Sequence, residues 1–125
     1  AAAAVPATVV ELRTSVESTA NPLVGILELR ILEAMGVPPM DLNGHADPYV
    51  VVKLGAKSLK TTVKKFTLAP KWNETFRLLV HKDEAAYDLE FSLWDWDYAS
   101  KDDFIGSAKL SLSVVAAKGA AAEPH

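Results

Sequence analysis

The length, composition and charge of the chain indicate one globular domain and exclude several classes of protein. Its 125 residues are enough for a hydrophobic core, and half of them are apolar. Only 23% are charged and the net charge is −3, which argues against a nucleic-acid partner because such proteins usually carry a basic excess. The absence of cysteine excludes disulfides and thiolate metal sites and fits a reducing compartment such as the cytoplasm. No apolar run approaches the roughly eighteen residues of a membrane span.

Alanine-rich sequence at both ends predicts tails or linkers around a central domain. These stretches are residues 1–4 and 116–122. We therefore predict an N-terminal segment at 1–22 with a candidate first strand, a domain at 23–115 and a C-terminal tail at 116–125.

Between the two ends, apolar residues recur at every second position, the pattern of strands with one buried face. Alternation over residues 8–17 predicts a first strand, although Thr8 and Glu11 also match a helix capping box. Further strands are predicted at residues 27–31, 49–54, 59–64, 76–80, 89–93 and 108–112. Residues 81–88 are predicted to form a helical turn. Short strands separated by Gly, Pro and Asn turns favour an antiparallel β-sandwich.

Aspartates are concentrated in two segments: the first acidic loop, residues 41–47, and the second acidic loop, residues 94–103. At an effective dielectric of about 20, two carboxylates roughly 5 Å apart repel each other by about 3 kcal/mol. If the loops meet, their carboxylates therefore imply a bound counter-charge. Ca²⁺ is the natural candidate, because it accepts about six to eight oxygen ligands in a flexible shell.

The spacing of these aspartates does not fit an EF-hand, which needs Gly at its sixth position and Glu at its twelfth. Counted from Asp41, those positions hold Ala46 and Val52, and a count from Asp95 fails in the same way. The carboxylates of one site must therefore come from two loops that the tertiary structure brings together. A sandwich does this readily, since its loops cluster at the two ends.

Four motifs occur in an order that resembles the C2 domain, the calcium- and phospholipid-binding sandwich of protein kinase C and synaptotagmin. They are residues 25–34 (GILELRILEA), 41–50 (DLNGHADPYV), 68–76 (LAPKWNETF), and 94–97 (WDWD) followed by 102–106 (DDFIG). The resemblance covers about residues 23–112. It implies an eight-stranded antiparallel Greek-key sandwich with an extra strand before Leu27, as in synaptotagmin. After Leu112 only residues 113–115 precede alanine-rich sequence, so the final strand is missing or supplied elsewhere.

The resemblance also implies a calcium site for two or three ions. In C2 domains that bind calcium, the side-chain ligands stand at the positions of Asp41, Asp47, Asp95, Asp97 and Asp103. Ser100 stands where the family often has a further oxygen ligand, and backbone carbonyls near Met40, Trp96 and Lys101 would complete the shell. Asp102 is expected to be a solvated neighbour, and Trp96 an anchor between loop and core.

Two membrane-facing surfaces follow from the same resemblance. Leu42, and Tyr98 with Ala99, occupy loop tips that often enter the lipid interface in this family, and Phe66 in the middle loop (residues 64–70) joins them. A basic face that binds phosphoinositides in some relatives would contain Lys53, Lys57, Lys60, Lys64 and Lys65. Val51 and Thr62 stand where those relatives have lysine, so a solvated basic face and a phosphoinositide site both stay open.

The predicted function is calcium-dependent binding to anionic phospholipid, such as phosphatidylserine or phosphoinositides. The chain would be a targeting module of a larger protein, recruited peripherally from the cytoplasm to membranes. The alternative is a calcium-independent protein–protein interaction domain, in which the carboxylates are salt-bridged or unfilled. An enzyme is disfavoured, since the sequence has no Gly-rich phosphate loop, Ser-centred elbow or His–Glu metal motif.

Overall fold

Two antiparallel sheets make up the fold in a computed structural model that describes residues 11–19, 24–40, 44–81, 84 and 86–112. The strands are β1 (Glu11–Thr19), β2 (Val24–Met35), β3 (Pro48–Leu54), β4 (Lys57–Lys60), β5 (Lys71–His81), β6 (Asp88–Asp95) and β7 (Asp103–Ser111). One sheet has the strand order β1–β2–β5 and the other β4–β3–β6–β7. The chain passes between the sheets after β2, β4 and β5, which gives the predicted all-β sandwich.

A continuous hydrophobic core fills the space between the sheets. Its largest contributions are Leu27, Leu29 and Ile31 from β2, Val50, Val52 and Leu54 from β3, and Leu89, Phe91 and Leu93 from β6. Each trio occupies alternate positions, which confirms the period of two in the sequence. Burying one such side chain contributes about 1.5 to 3 kcal/mol, so these three strands form a rigid base for the loops they support.

The first predicted strand is confirmed, and its pairing excludes the capping-box alternative for the residues described. β1 runs antiparallel to β2, with Glu11 opposite Met35 and Thr19 opposite Ile26. Residues 8–10 lie outside the described part of the chain, as does the sequence after Leu112, where the final strand was predicted to be missing or supplied elsewhere. Of the predicted helical turn, Glu84 and Ala86 adopt a 3₁₀ conformation. The described residues contain no helix long and apolar enough to cross a membrane.

The strand predicted at residues 59–64 is wrong at its C-terminal end, because β4 stops at Lys60. The Thr61 N–H still donates to the Val50 carbonyl over 2.9 Å, but the Val50 N–H donates over 2.9 Å to the hydroxyl oxygen of Thr61 instead of to its carbonyl. A side chain thus takes one of the two backbone bonds of the next ladder pair. The chain still follows β3, since the Lys64 N–H donates to the Pro48 carbonyl over 3.0 Å. This irregular stretch leads the middle loop to the same end of the sandwich as the acidic loops.

Candidate functional site

Strand register aligns the bases of both acidic loops in one row across the sheet. Pro48, at the start of β3, pairs with Asp95 at the end of β6, and Asp95 pairs in turn with Asp103 at the start of β7. Asp47 directly precedes Pro48. The row therefore places three predicted ligands at one end of the sandwich, with Asp95 buried, Asp47 half-buried and Asp103 exposed.

Hydrogen bonds join the first acidic loop to the second. The backbone N–H of Asp47 donates to Oδ1 of Asp95 over 2.8 Å, and the N–H of Trp96 donates to the carbonyl of Asp47 over 2.9 Å. The two bonds connect positions about fifty residues apart in sequence. The loops therefore meet, as predicted.

The middle loop closes the third side of this end. The N–H of Phe66 donates to Oδ1 of Asp47 over 2.7 Å, and the N–H of Thr67 donates to the carbonyl of Ala46 over 2.9 Å. Asp47 thus bonds to both neighbouring loops, through its carboxylate to one and through its backbone to the other. A residue in this position fixes the spacing of all three loops.

The Asp97 carboxylate organises the tip of the second acidic loop. Its Oδ1 accepts hydrogen bonds from the N–H groups of Ala99 at 2.8 Å and Ser100 at 3.2 Å, and its Oδ2 accepts one from the Ser100 hydroxyl at 3.0 Å. The bond from Ala99, followed by that from the Ser100 side chain, lowers the pKa of Asp97 below its ordinary value. The group is therefore ionised at neutral pH, as a calcium ligand must be.

Asp102 is not the solvated neighbour that the sequence predicts. It is half-buried; its Oδ1 accepts a 3.0 Å hydrogen bond from the Asp97 N–H, and its Oδ2 accepts one from the hydroxyl of Tyr49 on β3. Burial, and then the hydrogen bond to Asp102 and its charge, raise the pKa of Tyr49 to about 12. Local sequence could not reveal this contact, because 53 residues separate its partners.

The donor set suits a hard cation. The predicted ligands are carboxylates, and an ionised carboxylate has about four acceptor positions, so one hydrogen bond from an amide leaves capacity for a metal. Within the described residues, no three acidic or histidine side chains are already grouped closely enough to hold an ion. Asp41, the remaining predicted side-chain ligand, lies outside that part of the chain.

The other predicted ligands differ in their surroundings. Ser100 is exposed and its hydroxyl is bonded to Asp97. Met40 is half-buried against the core, and its N–H donates to the His45 carbonyl over 3.0 Å. Lys101 is exposed. The Met40 thioether and the Lys101 ammonium are not ligands for Ca²⁺, which takes oxygen donors. The predicted ligand atoms of these two residues are therefore their backbone carbonyl oxygens.

Two aromatic side chains project from the loop end. Tyr98 is 86% exposed and Phe66 is 63% exposed, and the rings of Phe66 and His45 pack edge to face with centroids 5.9 Å apart. Ala99 is exposed beside Tyr98. Leu42, the remaining predicted tip residue, lies outside the described residues.

Trp96, predicted to be an anchor between loop and core, is half-buried and makes its ring contacts with loop side chains. Its ring stacks on Tyr98 with centroids 6.2 Å apart, and the Lys65 ammonium lies 3.7 Å from its centroid. Trp96 therefore supports the exposed Tyr98 from below, and it links the middle loop to the second acidic loop.

The predicted basic lysines do not share one face. Lys57 and Lys60 are three positions apart on β4, so their side chains lie on opposite faces of the strand. The Lys57 ammonium is directed toward β5, where it donates to the Leu79 carbonyl, and it forms a 2.9 Å ion pair with Glu84. Lys64 is half-buried, and Lys65 covers Trp96. Lys57 is thus separated from the surface on which Lys60 lies.

The outer face of the four-stranded sheet keeps a smaller basic surface. An open pocket of about 440 Å³ is lined there by Lys53 and Lys101 together with Tyr49, Trp94 and Asp102. The Lys60 ammonium lies 5.8 Å from the Tyr49 ring beside it. Asp102 places one carboxylate among these lysines and lowers the positive charge of the pocket.

Known proteins with the same architecture have related sequences. The C2 domain family model matches residues 25–124. A C2 and GRAM domain-containing protein of Arabidopsis thaliana is 43% identical over 89 residues, which are 71% of this chain and 8% of that protein. The chain thus spans a small part of the length of this curated relative.

Two solved structures extend the comparison to the fold. The C2A domain of plant Extended Synaptotagmin 1 is 34% identical with a TM-score of 0.66, covering 76% of this chain and 72% of that one. Calcium-bound C2A and C2B domains of Extended-Synaptotagmin 2 are 31% identical with a TM-score of 0.66, covering 77% and 36%. Since the family model spans well over half of the sequence, on strands and loops in the expected order, this chain belongs to the C2 domain family.

Proposed function

We propose that this C2 domain binds anionic phospholipid membranes in a calcium-dependent manner and serves as a non-catalytic targeting module of a larger protein. The observation that carries the proposal is the direct bonding of the two acidic loops, Asp47 to Asp95, at the end that also presents Tyr98 and Phe66. Anionic metal ligands and exposed aromatic side chains at one end are what a calcium-controlled membrane surface requires. The calcium-bound extended synaptotagmin structure lends support by similarity.

The residues that would hold the ions are all oxygen donors. They are Asp41, Asp47, Asp95, Asp97 and Asp103 through their carboxylates, Ser100 through its hydroxyl, and Met40, Trp96 and Lys101 through their carbonyls. Bound Ca²⁺ supplies positive charge and open coordination positions to which lipid phosphate can bind. About two or three ions add about four to six positive charges, which reverses the sign of a loop end that otherwise repels anionic lipid.

The protein side chains supply the apolar part of the contact. Tyr98 and Phe66 are exposed beside the acidic loops, and aromatic rings with one polar end favour the level of the lipid headgroups. Because Trp96 stacks on Tyr98, the tip is presented on a rigid support. Without calcium, the neighbouring carboxylates keep this tip from an anionic surface.

The outer-face lysines add a calcium-independent attraction to the same membrane. Lys53, Lys60 and Lys101 lie on or beside the outer pocket, and each basic residue near an anionic surface contributes about 1 kcal/mol. The Asp102 carboxylate and the diversion of Lys57 to Glu84 weaken this face relative to a full set of lysines. We therefore assign phosphoinositides a secondary part in binding.

Calorimetric titration of calcium with and without liposomes tests the proposal. We expect calcium to bind weakly in solution and at least about fivefold more tightly with phosphatidylserine liposomes. Lipid phosphate fills open coordination positions of the ion, and the coupling between the two ligands is reciprocal. Liposomes of phosphatidylcholine alone, and Mg²⁺ in place of Ca²⁺, are the controls. Absence of a calcium signal, or equal affinity with and without phosphatidylserine, would favour the calcium-independent protein-interaction alternative.

A further inference from the structure

Asp102 occupies the junction between the second acidic loop and the outer face of the sheet. Its two carboxylate oxygens have different partners: Oδ1 accepts from the Asp97 N–H inside the loop, and Oδ2 accepts from the Tyr49 hydroxyl on β3. Tyr49 is 9% exposed and sits in the sheet, where Trp94 is its partner on β6. Asp102 therefore connects a loop backbone to a fixed point of the fold.

The same link restrains Asp97 from its backbone side. The Asp97 carboxylate is already oriented by the amides of Ala99 and Ser100, so the Asp102 bond to its N–H is what ties this small turn to the opposite end of the loop. On the sheet side, Tyr49 follows Pro48 and Asp47, and Asp47 carries the bonds to Asp95 and Trp96. The positions of Asp97 and Asp47 are thus both set from the start of β3.

We infer that Asp102 is a positioning residue, which holds Asp97 in place for calcium through its hydrogen bond to Tyr49. This role rests on the proposed calcium-dependent function and adds a residue to it. Asp102 lines the outer pocket with Tyr49, and none of the predicted side-chain ligands that the structure describes lines that pocket, so we place its action on Asp97 rather than on the ion. Losing the link lowers the fraction of molecules with Asp97 in place. The apparent dissociation constant for calcium then rises in inverse proportion to that fraction.

Tyr49→Phe is the most informative variant, because it removes one hydroxyl and keeps both the ring and the net charge. Asp102→Ala removes both hydrogen bonds together with a charge. Tyr87→Phe is the matched control, since Tyr87 lies between β5 and β6 and packs against Gly55. Calcium affinity by calorimetry, and hydrogen exchange of the Asp97 amide by NMR, are measured on the full chain.

We expect Tyr49→Phe to bind calcium at least about threefold more weakly and to exchange the Asp97 amide selectively faster, beyond any general effect of a lower melting temperature. Asp102→Ala should show larger changes in the same directions, and adding Tyr49→Phe to it should change little more, because Asp102→Ala already removes the bond to Tyr49. Tyr87→Phe should leave both measurements unchanged. A purely structural role would lower the melting temperature without changing the exchange of Asp97 selectively.

The outcomes separate this inference from the function on which it rests. Wild-type affinity in both Tyr49→Phe and Asp102→Ala, with normal exchange at Asp97, would overturn the positioning role alone. Failure of the wild-type protein to bind calcium would overturn the proposed function. In that case the exchange of the Asp97 amide, measured without calcium, still decides whether Asp102 fixes the loop.

Discussion

Lys65 and Trp96 join two loops that are distant in sequence: the Lys65 ammonium lies 3.7 Å from the centroid of the Trp96 ring. A cation over an aromatic face at an exposed site contributes about 0.5 to 1 kcal/mol. The same ring stacks on Tyr98. The contact therefore stabilises the second acidic loop together with the aromatic tip that it carries.

Replacing Lys65 by Gln should lower the free energy of unfolding by about 0.5 to 1 kcal/mol, which corresponds to a melting temperature lower by a few degrees. Lys65→Arg should retain most of this stability, because a guanidinium also packs on aromatic faces. Thermal unfolding followed by circular dichroism measures both. Lys109→Gln, at an exposed lysine of β7, is the control. Identical melting of the Gln, Arg and wild-type proteins would show that the contact contributes nothing.

Calcium should stabilise the folded protein, because it relieves the repulsion among the loop aspartates only when the loops are assembled. A ligand at about one hundred times its dissociation constant adds about 2.7 kcal/mol, which raises the melting temperature by several degrees. Thermal melts in millimolar Ca²⁺, with and without a chelator, measure the effect. Mg²⁺ at the same concentration controls for general ionic effects. Equal melting temperatures with Ca²⁺ and with the chelator would contradict the calcium site.

Asp97→Asn should weaken calcium binding by at least about tenfold, equivalent to about 1.4 kcal/mol, while the domain stays folded. The amide oxygen can still accept from the N–H groups of Ala99 and Ser100, so the turn is kept and only the anionic ligand is lost. Asp88→Asn is the control, because Asp88 lies at the opposite end of β6. Calorimetric titration measures the calcium affinity of both variants and of the double variant that combines Asp95→Asn with Asp97→Asn. If Asp97→Asn bound calcium as tightly as Asp88→Asn, Asp97 would not be a ligand; unchanged affinity in the double variant would show that the second acidic loop does not hold the ion.

Replacing Phe66 and Tyr98 by Ala should weaken membrane binding without changing calcium affinity in solution. Both rings are exposed at the loop end, and the lost apolar burial amounts to about 1 to 3 kcal/mol for each ring that enters the lipid. Co-sedimentation with phosphatidylserine liposomes in calcium measures the change. Phe104→Ala is the control: that ring is 54% exposed but packs against Trp94 on the outer sheet face. If Phe104→Ala lost as much membrane binding as the Phe66 and Tyr98 double variant, the loop-end rings would not be the membrane contact.

Tyr49 should ionise at a higher pH than an unperturbed tyrosine. Its pKa is raised to about 12, whereas an unperturbed tyrosine titrates near 10; phenolate absorbance against pH should therefore show a late component that Tyr49→Phe removes. Tyr98→Phe should leave that component in place. Because the folded-state pKa is the higher one, the stability it contributes is complete below pH 10 and is lost as the pH rises through about 12. If the late component persisted in Tyr49→Phe, it would not come from Tyr49, and the bond to Asp102 would be contradicted.

Much of the fold and part of the site could be predicted from local pattern. Alternation in β2, β5 and β6 identified strands and their buried sides, because the side-chain period of a strand is set by the backbone itself. The aspartates flanking the strands indicated a shared site, since antiparallel strands bring such loops to one end. Pattern failed at β4, where the Thr61 side chain takes over a bond to Val50 that the ladder would otherwise make.

Sequence by itself therefore determined the family and the strand pattern, and it predicted a set of acidic oxygen donors; all of these depend on residue type and short spacing. Tertiary structure decided which side chains those donors meet. In the folded protein Lys57 forms an ion pair with Glu84, and Asp102 accepts a hydrogen bond from Tyr49 instead of being solvated. Such contacts arise from strand register and loop packing between residues tens of positions apart, so no local pattern encodes them.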